Sequence, residues 1–179
     1  LDDSITAGNQ VMRVPVLGGS EIYELLKSRG VEKAINAVGG IGDMQSRVRV
    51  FEILRQAGYV CPTVIHPTAS VEESAQMAEG IQVFPHAYIG SDAEAGFGVI
   101  VNTTAVVSHD CRINNFANVA PGALLAGNVE IGEGALIGMG TTINLNVSIG
   151  SGARVGNSAV VKADVPANGI VRAGAVWPG

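Results

Sequence analysis

Aromatic side chains make up only 4% of the 179 residues, so the core this chain builds rests on aliphatic and small residues rather than on large rings. Cysteine is scarce too: Cys61 and Cys111 are too few for a disulfide framework, and with no secretory signal to read, the cytoplasm is the expected compartment. Basic residues number 11 against 16 acidic ones, a net charge of −5 with no basic stripe, which argues against nucleic acid or an anionic membrane as partner. Hydrophobic residues reach 47%, yet no apolar run approaches the ~20 residues that span a bilayer, so a soluble protein is expected. The chain opens on Leu1 rather than Met, which points to an incompletely represented N-terminus. What is abundant is glycine, with 24 residues against a usual share of ~7%.

The remaining signal is a repeat of six. From Ile65 the first residues of successive hexads run Val71, Met77, Val83, Ile89 and on through Val155, Val161 and Ala167; of 18 such positions only Ala95 and Ala167 lack a larger aliphatic side chain. The fifth residues are mostly small, as at Ala69, Ala105, Cys111, Ala117 and Ala153. Period six fits neither a helix nor a continuous flat strand. It fits a short strand followed by a corner, with the aliphatic residue pointing into a narrow core and the small residue beside it. Glycine or asparagine at many second positions, such as Gly90, Asn102, Gly132, Gly138 and Gly156, reads as tolerance of unusual backbone angles there. Three hexads close an 18-residue turn, so 108 residues read without a slip as six coils stacked roughly 4.8 Å apart, a parallel β-helix.

The pattern closely resembles the hexapeptide-repeat acyltransferases, which implies a left-handed coil against the usual right-handed crossover rule. The expected architecture is an α/β, Rossmann-like unit over residues 1–60, incomplete at its N-terminus, followed by a left-handed parallel β-helix over residues 61–179. In the first unit, Val14–Leu17 is a short apolar run, and Ile22, Leu25 and Leu26 recur at helical spacing within Glu21–Arg29 before Gly30. Lys33–Val38 reads as a buried strand, Asp43 as the cap of a helix through Gln56, and Gly58 as its stop. Alternation of this kind indicates a parallel α/β unit. Leu1-Asp2-Asp3 reads as the end of a further strand.

Further segments narrow the resemblance: Leu1-Asp2-Asp3, His66-Pro67-Thr68-Ala69, Asn102 through Cys111, Ala120-Pro121-Gly122-Ala123 and Val161 through Pro166. Together they are similar to bacterial sugar-nucleotide N-acetyltransferases and their sialic-acid O-acetyltransferase relatives. The resemblance implies an acetyl-CoA-dependent enzyme acting on a UDP- or GDP-linked amino sugar, a homotrimer with acetyl-CoA in the cleft between subunits, and no metal. O-acetylation of a sugar or sialic acid is the runner-up, and a non-catalytic trimeric scaffold is the reading from a different class.

By the same resemblance His109 is the general base and Asp110 orients it, a role for which imidazole suits neutral pH. A solvated corner carboxylate is the plain alternative for Asp110. Gly127 lies one 18-residue coil beyond His109, and its backbone N–H is the expected oxyanion donor, the alternative being a glycine required only by a tight corner. Asn118 stands where many relatives carry a second histidine; it can hydrogen-bond an acetyl group but not act as a base. Half a coil separates it from His109, so the two are expected to meet only across neighbouring subunits. Asp2 and Asp3 resemble the acidic pair near the base and ribose of the nucleotide sugar, and Gly39 and Gly40 sit where backbone approaches phosphate. Gly138, Gly156 and Lys162 are the expected acetyl-CoA contacts. His66, His86 and His109 do not stack, which disfavours a zinc site.

Overall fold

The two-residue strands of the second unit follow from the hexads. In each, the first residue points inward and the one before it points out, and from the hexad of Met77 to that of Val155 the chain then turns a corner because the fourth residue takes a left-handed conformation. Asp92, Thr104, Asp110, Phe116, Asn128 and Asn146 all stand there with φ of 54° to 61°. In this computed structural model, which describes residues 1–39 and 44–179, nineteen such strands from Val64–Ile65 to Val176–Trp177 form three parallel sheets of seven, five and seven strands, a solenoid of about six turns.

The left-handed residue therefore sits at the fourth position of the hexad, not at the second as the glycine pattern predicts. The second-position glycines answer to a different constraint. A Cβ on Gly90 would lie 2.8 Å from the backbone nitrogen of His109, and one on Gly138 would lie 2.7 Å from that of Asn157, in each case the next coil. Glycine at these points lets successive coils stack at strand spacing.

Inside the prism the first and fifth residues make one dry column, with Ile89, Ile113, Leu125, Ile131 and Ile143 alongside Ala105, Cys111, Ala117 and Ala153, none more than 2% exposed. The register does slip, at the last coil. Ile149 pairs with Val165, Val155 with Val171 and Val161 with Trp177, sixteen residues apart where every earlier pair is eighteen apart. The segment from Val161 to Val165 turns the corner two residues early, and Asp164 fastens it by accepting from Ser148 N–H at 2.8 Å through its side chain and from the Trp177 indole N–H at 3.0 Å through its carbonyl. Val165 rather than Ala167 points inward, and Trp177 packs against the open end of the core.

The prism has three faces, each distinguished by its outward residues. The Asn118 face carries Gln82, Ile100, Leu136 and Arg154; the Leu124 face carries Tyr88, Val106 and Thr142; the Arg112 face carries Glu94 and Glu130. His109 lies on the edge between the Leu124 and Arg112 faces, and Phe116 on the edge between the Arg112 and Asn118 faces.

Residues 1–60 hold a hairpin of β1 (Gln10–Val11) and β2 (Val14–Pro15), a 3-10 turn at Ser20–Ile22 that runs into α1 (Tyr23–Ser28), and α2 (Met44–Gln56). The segment around Lys33 is parallel to Val60 through a single bridge, flanked by Ala34 N–H to Val60 O at 3.0 Å. The expected strand over Lys33–Val38 is thus extended chain with one bridge, and Leu1–Asp3 is not a strand: Asp2 N–H meets Gly18 O and the chain turns. Gly40 and Asp43, read above as a phosphate contact and a helix cap, lie outside the described residues. Arg47, Phe51 and Leu54 form the inward stripe of α2. Phe51 reaches the prism edge, with its ring centroid 4.9 Å from Phe97 and 6.0 Å from Phe116.

Candidate active site

His109 and Asp110 occupy the third and fourth positions of one hexad. Adjacent strand residues point to opposite faces, but this is a corner. With Asp110 at φ 60°, both side chains project from the same edge, and Nδ1–H of His109 donates to Asp110 Oδ2 at 2.6 Å. An ionised carboxylate at Nδ1 keeps the ring proton there, so Nε2 presents its lone pair outward. Both side chains are more than half exposed, at 62% and 57%.

Gly127 lies over the imidazole. A Cβ built on it would fall 2.6 Å from His109 Nε2, so any side chain at position 127 would displace the ring. The residue is buried under that ring rather than open to solvent. Its carbonyl accepts from Asn146 N–H at 3.2 Å, while its own N–H donates to no acceptor among the described residues.

Asn118 departs from its expected place. It is only 2% exposed, its Oδ1 has no hydrogen-bond partner among the described residues, and its strand neighbours are Ile100 and Leu136 on the face against which α2 lies. A groove lined by Met44, Gln45 and Val48 of that helix together with Leu136 and Arg154 marks this packing. Within its own chain Asn118 is thus buried, where the expectation had it reaching out toward a neighbouring subunit's acetyl group.

Lys162 shares the His109 edge and is exposed. Gly138 and Gly156 follow strands of the Asn118 face and stand on the edge it shares with the Leu124 face, away from His109. Their N–H groups are taken by Val155 O and Val171 O, both at 2.8 Å, and coil stacking accounts for their being glycine. His66 and His86 lie along that same edge, where Thr68 Oγ1 is 2.9 Å from His66 Nδ1 and accepts from His86 N–H at 3.2 Å. No group of three or more His, Cys, Asp or Glu is placed to hold a metal ion among the described residues.

Asp2 and Asp3 line a cavity of about 710 Å³, walled also by Tyr23, Asn36, Val38 and Tyr59 and by no prism residue. Asp2 accepts from the Ser4 hydroxyl and backbone N–H at 2.6 and 2.8 Å, and the hydroxyl bond above all holds its carboxyl below the ordinary range. Asp3 accepts from Ser20 N–H at 2.6 Å, capping the turn into α1. Gly39 is exposed, with open space where a side chain would go. Cys61 and Cys111 are both buried, and burial pushes both thiols up, which makes neither a thiolate nucleophile.

The sequence reading missed the buried polar residues Asn36 and Arg47. Their signal was a polar residue at an apolar position: Arg47 shares the stripe of Phe51 and Leu54, and Asn36 interrupts an otherwise aliphatic run.

A hexapeptide solenoid with a carboxylate-oriented imidazole on an exposed edge defines the hexapeptide-repeat acyltransferase class. Comparison with solved structures is more specific. A perosamine N-acetyltransferase variant from Caulobacter crescentus, in complex with CoA and GDP-perosamine, matches at 32% identity and TM-score 0.88 over 92% of this chain and 77% of that one. The acetyltransferase domain of PglB from Neisseria gonorrhoeae, in complex with acetyl coenzyme A, matches at 34% and 0.90 over 99% and 84%. WeeI from Acinetobacter baumannii matches at 26% and 0.79 over 94% and 79%. No protein-family model and no curated sequence matches the chain. The chain belongs to the sugar-nucleotide N-acetyltransferase family of hexapeptide-repeat proteins, and it is an acetyltransferase.

Proposed function

We propose that this chain transfers the acetyl group of acetyl-CoA directly to the amine of a UDP- or GDP-linked amino sugar, with no acetyl-enzyme between. The observation that carries this reading is the His109–Asp110 pair under Gly127. The amine attacks the thioester carbon and Nε2 of His109 takes the ammonium proton. Asp110 stabilises the resulting imidazolium. The Gly127 N–H donates to the oxyanion as it forms. Collapse expels CoA thiolate, which the imidazolium protonates, so proton and thiol balance. Neither buried cysteine is placed to carry the acetyl group covalently, and this supports direct transfer.

Residues 1–60 act in this reading as a Rossmann-like nucleotide-sugar unit, with Asp2 and Asp3 at its cavity and Gly39 next in the chain to its lining residue Val38, and residues 61–179 as a left-handed acetyl-transfer prism. The cavity has no prism wall, and the His109 edge lies apart from the edge of Gly138 and Gly156. A three-fold ring joins such separated parts, setting the His109 edge and Lys162 of one subunit against the Gly138–Gly156 edge of the next, with acetyl-CoA between them. The expected place of action is the cytoplasm. The test is to incubate the protein with acetyl-CoA and a panel of UDP- and GDP-linked amino sugars, and to follow free thiol and acetylated product by mass. Thiol release matched by N-acetylated nucleotide sugar is expected; release only with hydroxyl acceptors would overturn the reading in favour of O-acetylation.

A further inference from the structure

Arg47 is wholly buried on the inward stripe of α2 and has no carboxylate partner among the described residues. One Nη1–H donates to Gly98 O at 2.5 Å, the guanidinium carbon stands 5.0 Å from the Phe51 ring centroid, and Nε and Nη2 meet no acceptor among the described residues. Burial pushes the guanidinium down to about 10. Burying a charge this way is costly, and a Leu or Met would pack the same stripe without that cost.

A second buried polar residue adjoins it. Asn36, 2% exposed, donates from Nδ2 to Arg47 O at 2.8 Å and accepts from Val38 N–H at 3.0 Å, while its own carbonyl accepts from Gln82 Nε2 at 2.6 Å. These bonds fasten the first unit to the prism at Gly98 on the Phe116 edge and at Gln82 on the Asn118 face. Two directional bonds at separate points fix an angle. The apolar contact of Phe51 with Phe97 and Phe116 does not, since hydrophobic burial is non-directional. Asn36 is at the same time a wall of the cavity that Asp2 and Asp3 line.

We infer that Arg47, with Asn36 and Gln82, is a positioning clasp that holds the first unit and the prism as one rigid body and so sets where a sugar bound in the first unit is presented for acetyl transfer. The second half of this rests on the function proposed above; the rigid-body half does not. The test places nitroxide labels on cysteines substituted at exposed Glu24 and Glu130 of the full chain, native Cys61 and Cys111 being buried. The labelled chains are assembled with an excess of unlabelled parent chains, so that pulsed electron resonance reads the distance between unit and prism within one chain. One narrow distribution is expected without further change, a broad one with Arg47→Met, and a largely restored one with Arg47→Lys. Gln82→Leu repeats the test at the other attachment point should Arg47→Met fail to fold. In turnover, Arg47→Met raises KM for the nucleotide-linked amino sugar about tenfold or more, with KM for acetyl-CoA little changed. A distribution that stays narrow in both Arg47→Met and Gln82→Leu would overturn the clasp. Broadening without any change in the sugar's KM would overturn its role in presentation. If the parent chain acetylates no nucleotide-linked amino sugar, presentation falls with the proposed acceptor while the distances still decide the clasp.

Discussion

In the proposed mechanism the chemistry at His109 depends on a contact that only glycine permits. Gly127→Ala places a methyl 2.6 Å from where Nε2 now stands, so the ring must swing away from its working direction. We expect kcat to fall about 10²-fold or more with little change in melting temperature, because the edge is exposed and the core column is untouched. A variant with normal kcat would show that neither the ring position nor the Gly127 N–H matters. Asp110→Asn removes the carboxylate that holds the proton on Nδ1. Its kcat is expected to fall less than that of a variant lacking the imidazole, and an unchanged rate in a steady-state assay would take Asp110 out of the mechanism.

Coil stacking governs stability among the elements. A Cβ on Gly132 would lie 2.6 Å from the carbonyl carbon of Gly150, backbone against backbone, with no flexible atom to give way. Gly132→Ala is expected to cost about 1–3 kcal/mol in urea denaturation, and a neutral effect would mean the coils part easily. At the seam, Phe51 is 1% exposed, and Phe51→Ala is expected to cost about 3–5 kcal/mol by the same measurement. The inward column was legible in the sequence because both Ile at the first position and Ala at the fifth obey one period. The last-coil slip was not, because Val165 and Val171 satisfy the fifth-position pattern of the old register as well as the first-position pattern of the new one. The burial of Asn118 was not legible because the repeat says only that it points out of the prism, while segments far earlier in the chain decide whether outward means solvent. The glycines at second positions had two physical explanations, backbone freedom and close approach, and only the coil spacing separates them.

For the whole molecule, the proposed three-fold ring would bring a cavity in the first unit and the exposed His109 edge to one reaction. Light scattering is expected to give about three times the 18.3 kDa chain mass, and mixed trimers of His109→Ala and cavity-impaired Asp2→Ala chains should recover part of the activity each lacks alone. A monomer fully active at nanomolar concentration would contradict this. The central claim is that an acid-oriented imidazole on the prism edge is the base of acetyl transfer. Its most direct test is the turnover number of His109→Ala beside that of the parent chain, at saturating acetyl-CoA and nucleotide-linked amino sugar, with acetyl-CoA affinity measured by calorimetry on both. The account predicts a fall of about 10²–10⁴ in turnover with affinity retained; a variant that keeps its full rate would contradict it.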